Sequence, residues 1–355
     1  MSINKKASVV SAVFVSSVLL SGCGLFGGGG KEQIDPPKSV AYEEEQAVIE
    51  GQSDTDAETV GKEEAATGTV QTELYLLNKD GLVVPQTLAL PKTNSVAKQA
   101  LEYLVKDGLV EGMLPNGFMG VLPADTKLSV DIKDKVATVN FSKEFKEYQK
   151  EDELKILEAV TWTLTQFESV DKVKFKLNGH ELTAMPVNET PIGNTYSRAN
   201  GINLDTTDVL DIRNTKSLTV YYIGGNEDSY YYVPVTKRVS NKENNNIKAA
   251  VNELVKGPSY ASNLDSDFIN VKLLDDPKIE NGKVTLNFNE GVYSNFEERT
   301  ISKHLLDALV LSLTEQTGIE SVAITVNGKS DVVNEKGEKM TEPVTRPEKV
   351  NTGSF

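Results

Sequence analysis

The chain has 355 residues, 39% hydrophobic and 25% charged, which is enough for two ordinary domains with cores of their own. Its 52 Asp and Glu against 37 Lys and Arg leave a net charge of -15, which disfavours binding to nucleic-acid backbones or anionic lipid surfaces. One cysteine and two histidines, His180 and His304, supply no disulfide framework, no Cys/His zinc site and no dithiol redox pair.

Residues 1–22 read as an export signal, in which Lys5 and Lys6 precede the apolar run Ala7 to Leu20, too short to span a bilayer as a helix. The run ends in Leu20-Ser21-Gly22-Cys23, a pattern similar to the bacterial lipobox, where the cysteine thiol takes a diacylglycerol and the signal is cut just before it. Small Ser21 and Gly22 suit entry into a protease site, and a thiol is the best nucleophile for forming a thioether. Cys23 is thus the candidate lipid-attachment residue; the other reading is an ordinary secretory signal followed by an unrelated cysteine.

Residues 23–68 read as a tether. From Gly24 to Gly68 the chain carries eleven acidic residues against Lys31, Lys38 and Lys62, with a Gly27 to Gly30 run, Pro36-Pro37 and few large apolar residues. Such a stretch stays solvated and self-repelling, and it holds about half of the net charge. The glycine run is no phosphate loop, because Glu32 stands where that motif needs Ser or Thr.

The remainder repeats itself. Leu104-Val105-Lys106 matches Leu254-Val255-Lys256, Asn140-Phe141 matches Asn287-Phe288, Asn178-Gly179 matches Asn327-Gly328 and Pro85 matches Pro234, all at offsets of 147 to 150. The tails agree too: Ser197-Arg198 with Ile202-Asn203 recurs as Thr345-Arg346 with Val350-Asn351. This predicts two copies, 69–203 and 216–351, with a connector at 204–215 and a short tail at 352–355.

In the first copy, strands are expected at Val70 to Leu77 and Val83 to Leu90 around Asn78-Lys79-Asp80-Gly81, then a helix capped by Ser95 and ending near Gly108. Strands at Leu128 to Ile132 and Val136 to Phe141 follow, then a helix from Glu151 to Glu168 and a strand ending at Leu177. The second copy repeats the order: Leu218 to Ile223, Tyr230 to Val235, a helix from Ile247 to Lys256, strands at Val271 to Ile279 and Lys283 to Phe288, a helix from Glu297 to Thr317 and a strand at Val322 to Val326. Ile301, Leu305, Leu309 and Leu313 recur every fourth residue, an apolar stripe that needs a partner surface. The expected fold class is α+β: two tandem two-layer modules, each a small mixed or antiparallel sheet with two helices on one face, each long enough to fold alone.

Candidate chemistry is sparse. His180 follows a turn and His304 falls mid-helix, neither in metal or triad spacing, so both read as structural or surface residues. Nucleophile-elbow and His-Glu-x-x-His motifs are missing from the sequence. The acidic groups Glu151-Asp152-Glu153, Asp275-Asp276 and Glu297-Glu298 have the residue type of a glycosidase pair, but two of them sit at expected helix starts, where negative charge complements the macrodipole. Tyr221, Tyr222, Tyr230, Tyr231 and Tyr232, with Tyr260 and Tyr293, allow two readings: cross-strand packing, or a protein or glycan contact surface. Arg198 and Arg346 recur near the module ends and read as clips holding each tail to its own domain. Residues alone leave open a peptidoglycan-binding or peptidoglycan-modifying lipoprotein that uses the acids and tyrosines on glycan.

In order and spacing, Leu20 to Cys23, Val136 to Phe141 with Val284 to Phe288, Leu177-Asn178-Gly179 with Val326-Asn327-Gly328, and Arg346-Pro347-Glu348 resemble the tandem-GerMN sporulation and spore germination lipoproteins of endospore-forming bacteria. The likeness covers essentially the whole chain. It departs at Arg198-Ala199-Asn200, where the second copy has Arg-Pro-Glu, which bears on how the first tail docks. The resemblance implies a non-enzymatic protein without cofactor or metal, lipid-anchored on the outer face of the cytoplasmic membrane in the space around the forespore. It also implies a part in assembling the channel complex between mother cell and forespore, with other channel proteins or further copies as partners, and modules similar to ring-building domains of secretion systems.

Overall fold

A computed structural model describes residues 68–352, apart from 116, 208–211 and 227–228. The expected signal, Cys23 and nearly all of the tether lie outside the described residues, as do part of the connector and the end of the tail.

The first module opens with a hairpin, β1 (Thr69–Asn78) and β2 (Val83–Pro91), antiparallel with Tyr75 opposite Pro85. Its turn is held by the Asn78 side chain, whose oxygen accepts from the N–H groups of Asp80 (3.0 Å) and Leu82 (2.8 Å). Helix α1 (Val96–Glu102) follows, and β3 (Phe118–Met119) adds to β1. A second sheet has the order β4 (Leu128–Lys133), β5 (Val136–Phe141), β6 (Lys172–Leu177), β7 (His180–Glu181), with helix α2 (Glu153–Leu164) crossing between the parallel strands β5 and β6.

The second module repeats the plan. Its hairpin is β8 (Thr215–Asn226) with β9 (Ser229–Ser240), then α3 (Asn246–Lys256), then a sheet in the order β10 (Lys278–Glu280), β11 (Lys283–Phe288), β12 (Ser321–Val326), β13 (Val344–Thr345), with α4 (Lys303–Thr314) between parallel β11 and β12. The repeated Asn-Phe and Asn-Gly pairs have one cause. Asn178 and Asn327 take φ of 48° and 49° and lead into Gly179 and Gly328, also at positive φ, which makes the tight turn that ends the parallel pair. The Asn140 and Asn287 side chains then accept from the N–H of that glycine, at 2.7 and 2.8 Å.

The α+β tandem is as the sequence reads it, with one difference in layering. The hairpin of each module stands as a sheet separate from the mixed one, and the long helix packs against both. That is why α2 is buried from Ile156 through Leu164 rather than along one stripe. Hairpin and helix are also bolted together: Tyr75 N–H donates to Thr163 Oγ1 (3.0 Å), and Tyr221 N–H to Ser312 Oγ (2.8 Å) at the equivalent place.

Element ends depart from expectation where caps decide. Ser95 makes no side-chain cap bond and α1 stops at Glu102, after which Leu104 turns to accept from the N–H groups of Val121 and Leu122. Asn245 does cap α3, accepting from Ile247 and Lys248 N–H, and that helix runs eleven residues. Helix α4 begins at Lys303, capped by Ser302, because the Asn295 side chain turns Glu297 and Glu298 into a loop. Those two carboxylates therefore do not sit at a helix start.

Candidate functional site at the seam between the modules

The outer edges of β2 and β9 face each other, each interrupted by the proline of the repeat. Pro85 and Pro234 have no N–H, so neither edge can complete a direct ladder with the other. The two tails fill the gap. The Asn203 side chain accepts from Val83 N–H (2.8 Å) and donates to the carbonyls of Val83 (2.7 Å) and Pro234 (2.8 Å). Asn351 does the same with roles exchanged, accepting from Tyr232 N–H (2.7 Å) and donating to Pro85 (2.7 Å) and Tyr232 (2.9 Å) carbonyls. Both take positive φ, 45° and 54°, which Asn tolerates better than most residues.

One residue earlier, each tail lies on the other module. Ile202 pairs its N–H with Thr236 Oγ1 and its carbonyl with Thr236 N–H, both at 2.9 Å, while Val350 makes the matching bonds to Thr87. Gly201 permits the crossing, since its φ is +91° and a Cβ there would stand 2.7 Å from a Leu204 methyl and 3.0 Å from Thr236. Each tail therefore bonds both modules, so the reading that the tails are clipped to their own domains holds only in part: Asn203 and Asn351 hold their own hairpins, while Ile202 and Val350 cross to the other.

The two arginines meet over one carboxylate. Arg198 stacks 4.2 Å from the Trp162 ring, donates to Thr165 Oγ1 (2.9 Å) and reaches across the seam to Glu315 (2.8 Å). Arg346 stays within its own module, donating to the Tyr221 hydroxyl (3.1 Å) and lying 3.7 Å from the other Glu315 oxygen. Burial raises the Glu315 carboxyl, but Arg198 and Arg346 outweigh it and hold the group below the usual carboxylate range.

Two glutamates of α2 behave oppositely. Glu153 is buried and accepts from the N–H groups of Val187, Asn188 and Thr190 and from the Tyr148 hydroxyl. Burial pushes it up, yet these bonds prevail and its pKa lies low, so it is a structural anchor for the 187–190 loop. Glu158 is 2% exposed, accepts from Asn203 N–H (3.2 Å), and burial drives it up to about 7. It lines a cleft of about 510 Å³ walled by both modules. Sequence reasoning passed over Glu158, because nothing in one helix's spacing says that its polar face also is covered.

The other sequence candidates are dispersed. His180 is exposed on β7. His304 lies in the first turn of α4 rather than mid-helix, 3.5 Å from Asp267 and against the Tyr230 ring at 4.0 Å. Ser302 Oγ is 3.1 Å from the same Asp267 oxygen and also caps Leu305 N–H. Hydroxyl and imidazole both face the carboxylate, so the imidazole is not placed as a base on the hydroxyl. Asp276 pairs with Lys248 (2.8 Å) and Asp275 accepts from Asn287. Among the described residues, no three or more His, Cys, Asp or Glu side chains are grouped to hold a metal.

Tyr221, Tyr222, Tyr231 and Tyr232 are buried, with hydroxyls bonded to Arg346, to the Glu253 and Gly257 carbonyls, to Asn78 and to Asp307 respectively. They pack the hairpin and the seam, Tyr231 also lying edge-on to Phe118 of the first module at 5.2 Å. Tyr260 alone of the group is fully exposed.

The fold and seam define a class: a tandem of two α+β modules, locked by crossing tails. The chain belongs to the Germane family, described as sporulation and spore germination, which matches residues 73–183 and 219–332. It is 53% identical to the spore germination protein GerM of Bacillus subtilis (strain 168) over 365 aligned positions, covering 99% of this chain and all of that one. The solved tandem GerMN domains of that sporulation protein match with a TM-score of 0.76 at 58% identity, covering 81% of this chain and all of theirs. The solved first GerMN domain alone is 63% identical, covering 37% of this chain and 98% of its own, at a TM-score of 0.36.

Proposed function

We propose that this protein is a non-enzymatic assembly component of the sporulation envelope, anchored through Cys23 to the outer face of the cytoplasmic membrane around the forespore. It acts as a scaffold for the channel complex between mother cell and forespore. The observation that carries the reading is the 53% identity to a spore germination protein along essentially the whole chain. The Leu20-Ser21-Gly22-Cys23 pattern supports the anchor, and the acidic tether suits a body held clear of the membrane. The seam adds a physical argument, because two modules locked by crossing tails present other proteins with one body.

The peptidoglycan alternative draws less support, since four of the five strand tyrosines are buried with their hydroxyls engaged. The test is cross-linking in sporulating cells with the wild-type chain and with Cys23→Ala. The wild type should fractionate with membrane and capture channel proteins, and the variant should turn soluble and lose them. Membrane partitioning unchanged in the variant contradicts the anchor. Capture of no envelope protein, with normal spore yield in a deletion strain, contradicts the scaffold.

A further inference from the structure

The cleft between the modules is used by nothing described above. One side comes from the first module, with Leu82 from the hairpin turn and Leu154 from the first turn of α2; the other comes from Val235 of β9 and Leu264 of the loop after α3. Leu204, just past the crossing tail, also lines it. Leu154 and Leu204 are 36% and 43% exposed, so apolar surface continues out to the mouth. Glu158 lies in this setting and, among the described residues, takes a single hydrogen bond, from Asn203 N–H to one oxygen, and none to its second oxygen.

The charges around that carboxylate are mixed but lean acidic. Lys155, one turn away on α2, is turned to Asp152 at 3.2 Å; Asp205 is held by Lys237 at 2.7 Å; Glu151 stands exposed; the Tyr196 hydroxyl is pushed up to about 12 by burial and by Glu158. Among the described residues no cation is bonded to Glu158 itself, and Lys155 attracts its carboxylate only at a distance. Tyr260, between the lining residues Ser259 and Ala261, is fully exposed.

We propose that this cleft receives a lysine or arginine side chain, flanked by apolar residues, on an extended peptide segment of a partner protein. Charge complementarity selects the cation, because a buried carboxylate with spare acceptor capacity gains most from a charge-assisted bond inside apolar walls. The exposed leucines at the mouth select a peptide over a free amine, since flanking side chains cover them and a lone amine does not. The chain's own tether is a poor occupant, as its eleven acidic residues meet an acidic rim. The inference stands on the cleft and does not require that the partner belong to the channel complex.

The test titrates the acetylated, amidated peptide Ala-Leu-Lys-Leu-Ala into the full chain and follows the methyl resonances of Leu204 and Leu264. Those methyls should shift saturably, and affinity should drop at least tenfold when norleucine replaces the lysine or when Glu158→Gln is made, the loss of one charge-assisted bond. Affinity should rise about tenfold from about pH 6 to about pH 8, as the carboxyl becomes mostly ionised. Ala261→Trp, at an exposed lining position, should block binding with the carboxylate intact, which keeps the test decisive if Glu158→Gln unfolds. Equal binding of the norleucine peptide, shifts confined to other methyls, or no binding at millimolar peptide overturns the proposal. Equally tight binding of n-pentylamine overturns the peptide source.

Discussion

Glu153 and Glu158 share one helix, and their surroundings drive their carboxyls apart. Glu153 gathers four hydrogen bonds, while Glu158 has one and apolar walls. For Glu158 the folded state holds its proton more tightly than the unfolded chain does, so folding takes up protons between about 4.5 and about 7. Stability contributed at this site is present at acid pH and lost as pH rises through that window, by up to about 3 kcal/mol. Glu158→Gln, which keeps an acceptor for Asn203 N–H, should therefore flatten the dependence and leave the variant more stable than wild type near pH 8, measured by urea unfolding. A wild-type slope retained in the variant would place the titration elsewhere. The sequence shows both residues plainly but not their difference, which is set by the hairpin, the 187–190 loop and the tail that fold against α2 from elsewhere in the chain.

Among elements, the open edges of β2 and β9 and the two tails explain most of the repeat. Pro85 and Pro234, Thr87 and Thr236, Ile202-Asn203 and Val350-Asn351 are all parts of one joint, used twice. Asn351→Ala removes three bonds to buried or half-buried backbone and places at φ 54° a residue that tolerates the left-handed region less well than Asn, so it should cost about 3 kcal/mol. Asn351→Gly, which relieves the φ cost, should recover only part of that. An alanine variant within about 0.5 kcal/mol of wild type, the range of an ordinary surface change, would mean the joint carries no load. The order of the long strands and helices is legible from alternation and turn residues, whereas the parallel pairing of β5 with β6 and of β11 with β12 is not. The early stop of α1 and late start of α4 were not, because a side-chain cap that fails to form and an asparagine that turns a loop depend on neighbours far along the chain. The crossing of the tails was hidden for the same reason: a repeat reveals equivalent segments but not which copy each one touches.

At the scale of the whole molecule, the shared seam makes the tandem one body. Length and duplication pointed to two domains able to stand alone, and each copy does have a buried helix and sheet of its own. Yet each tail completes the other copy's hairpin edge, and Arg198 of one module pairs with Glu315 of the other. The acid excess that disfavours nucleic-acid binding has a location as well, about half of it between Gly24 and Gly68 and part around the cleft mouth. Family membership came from the order of motifs, whereas the seam and cleft needed the fold. The most direct measurement is differential scanning calorimetry of residues 24–355. A single transition, with calorimetric and van't Hoff enthalpies equal, is the result expected of modules that fold together. Two resolved transitions, with the first module melting independently of the second, would show instead that the seam does not couple the modules.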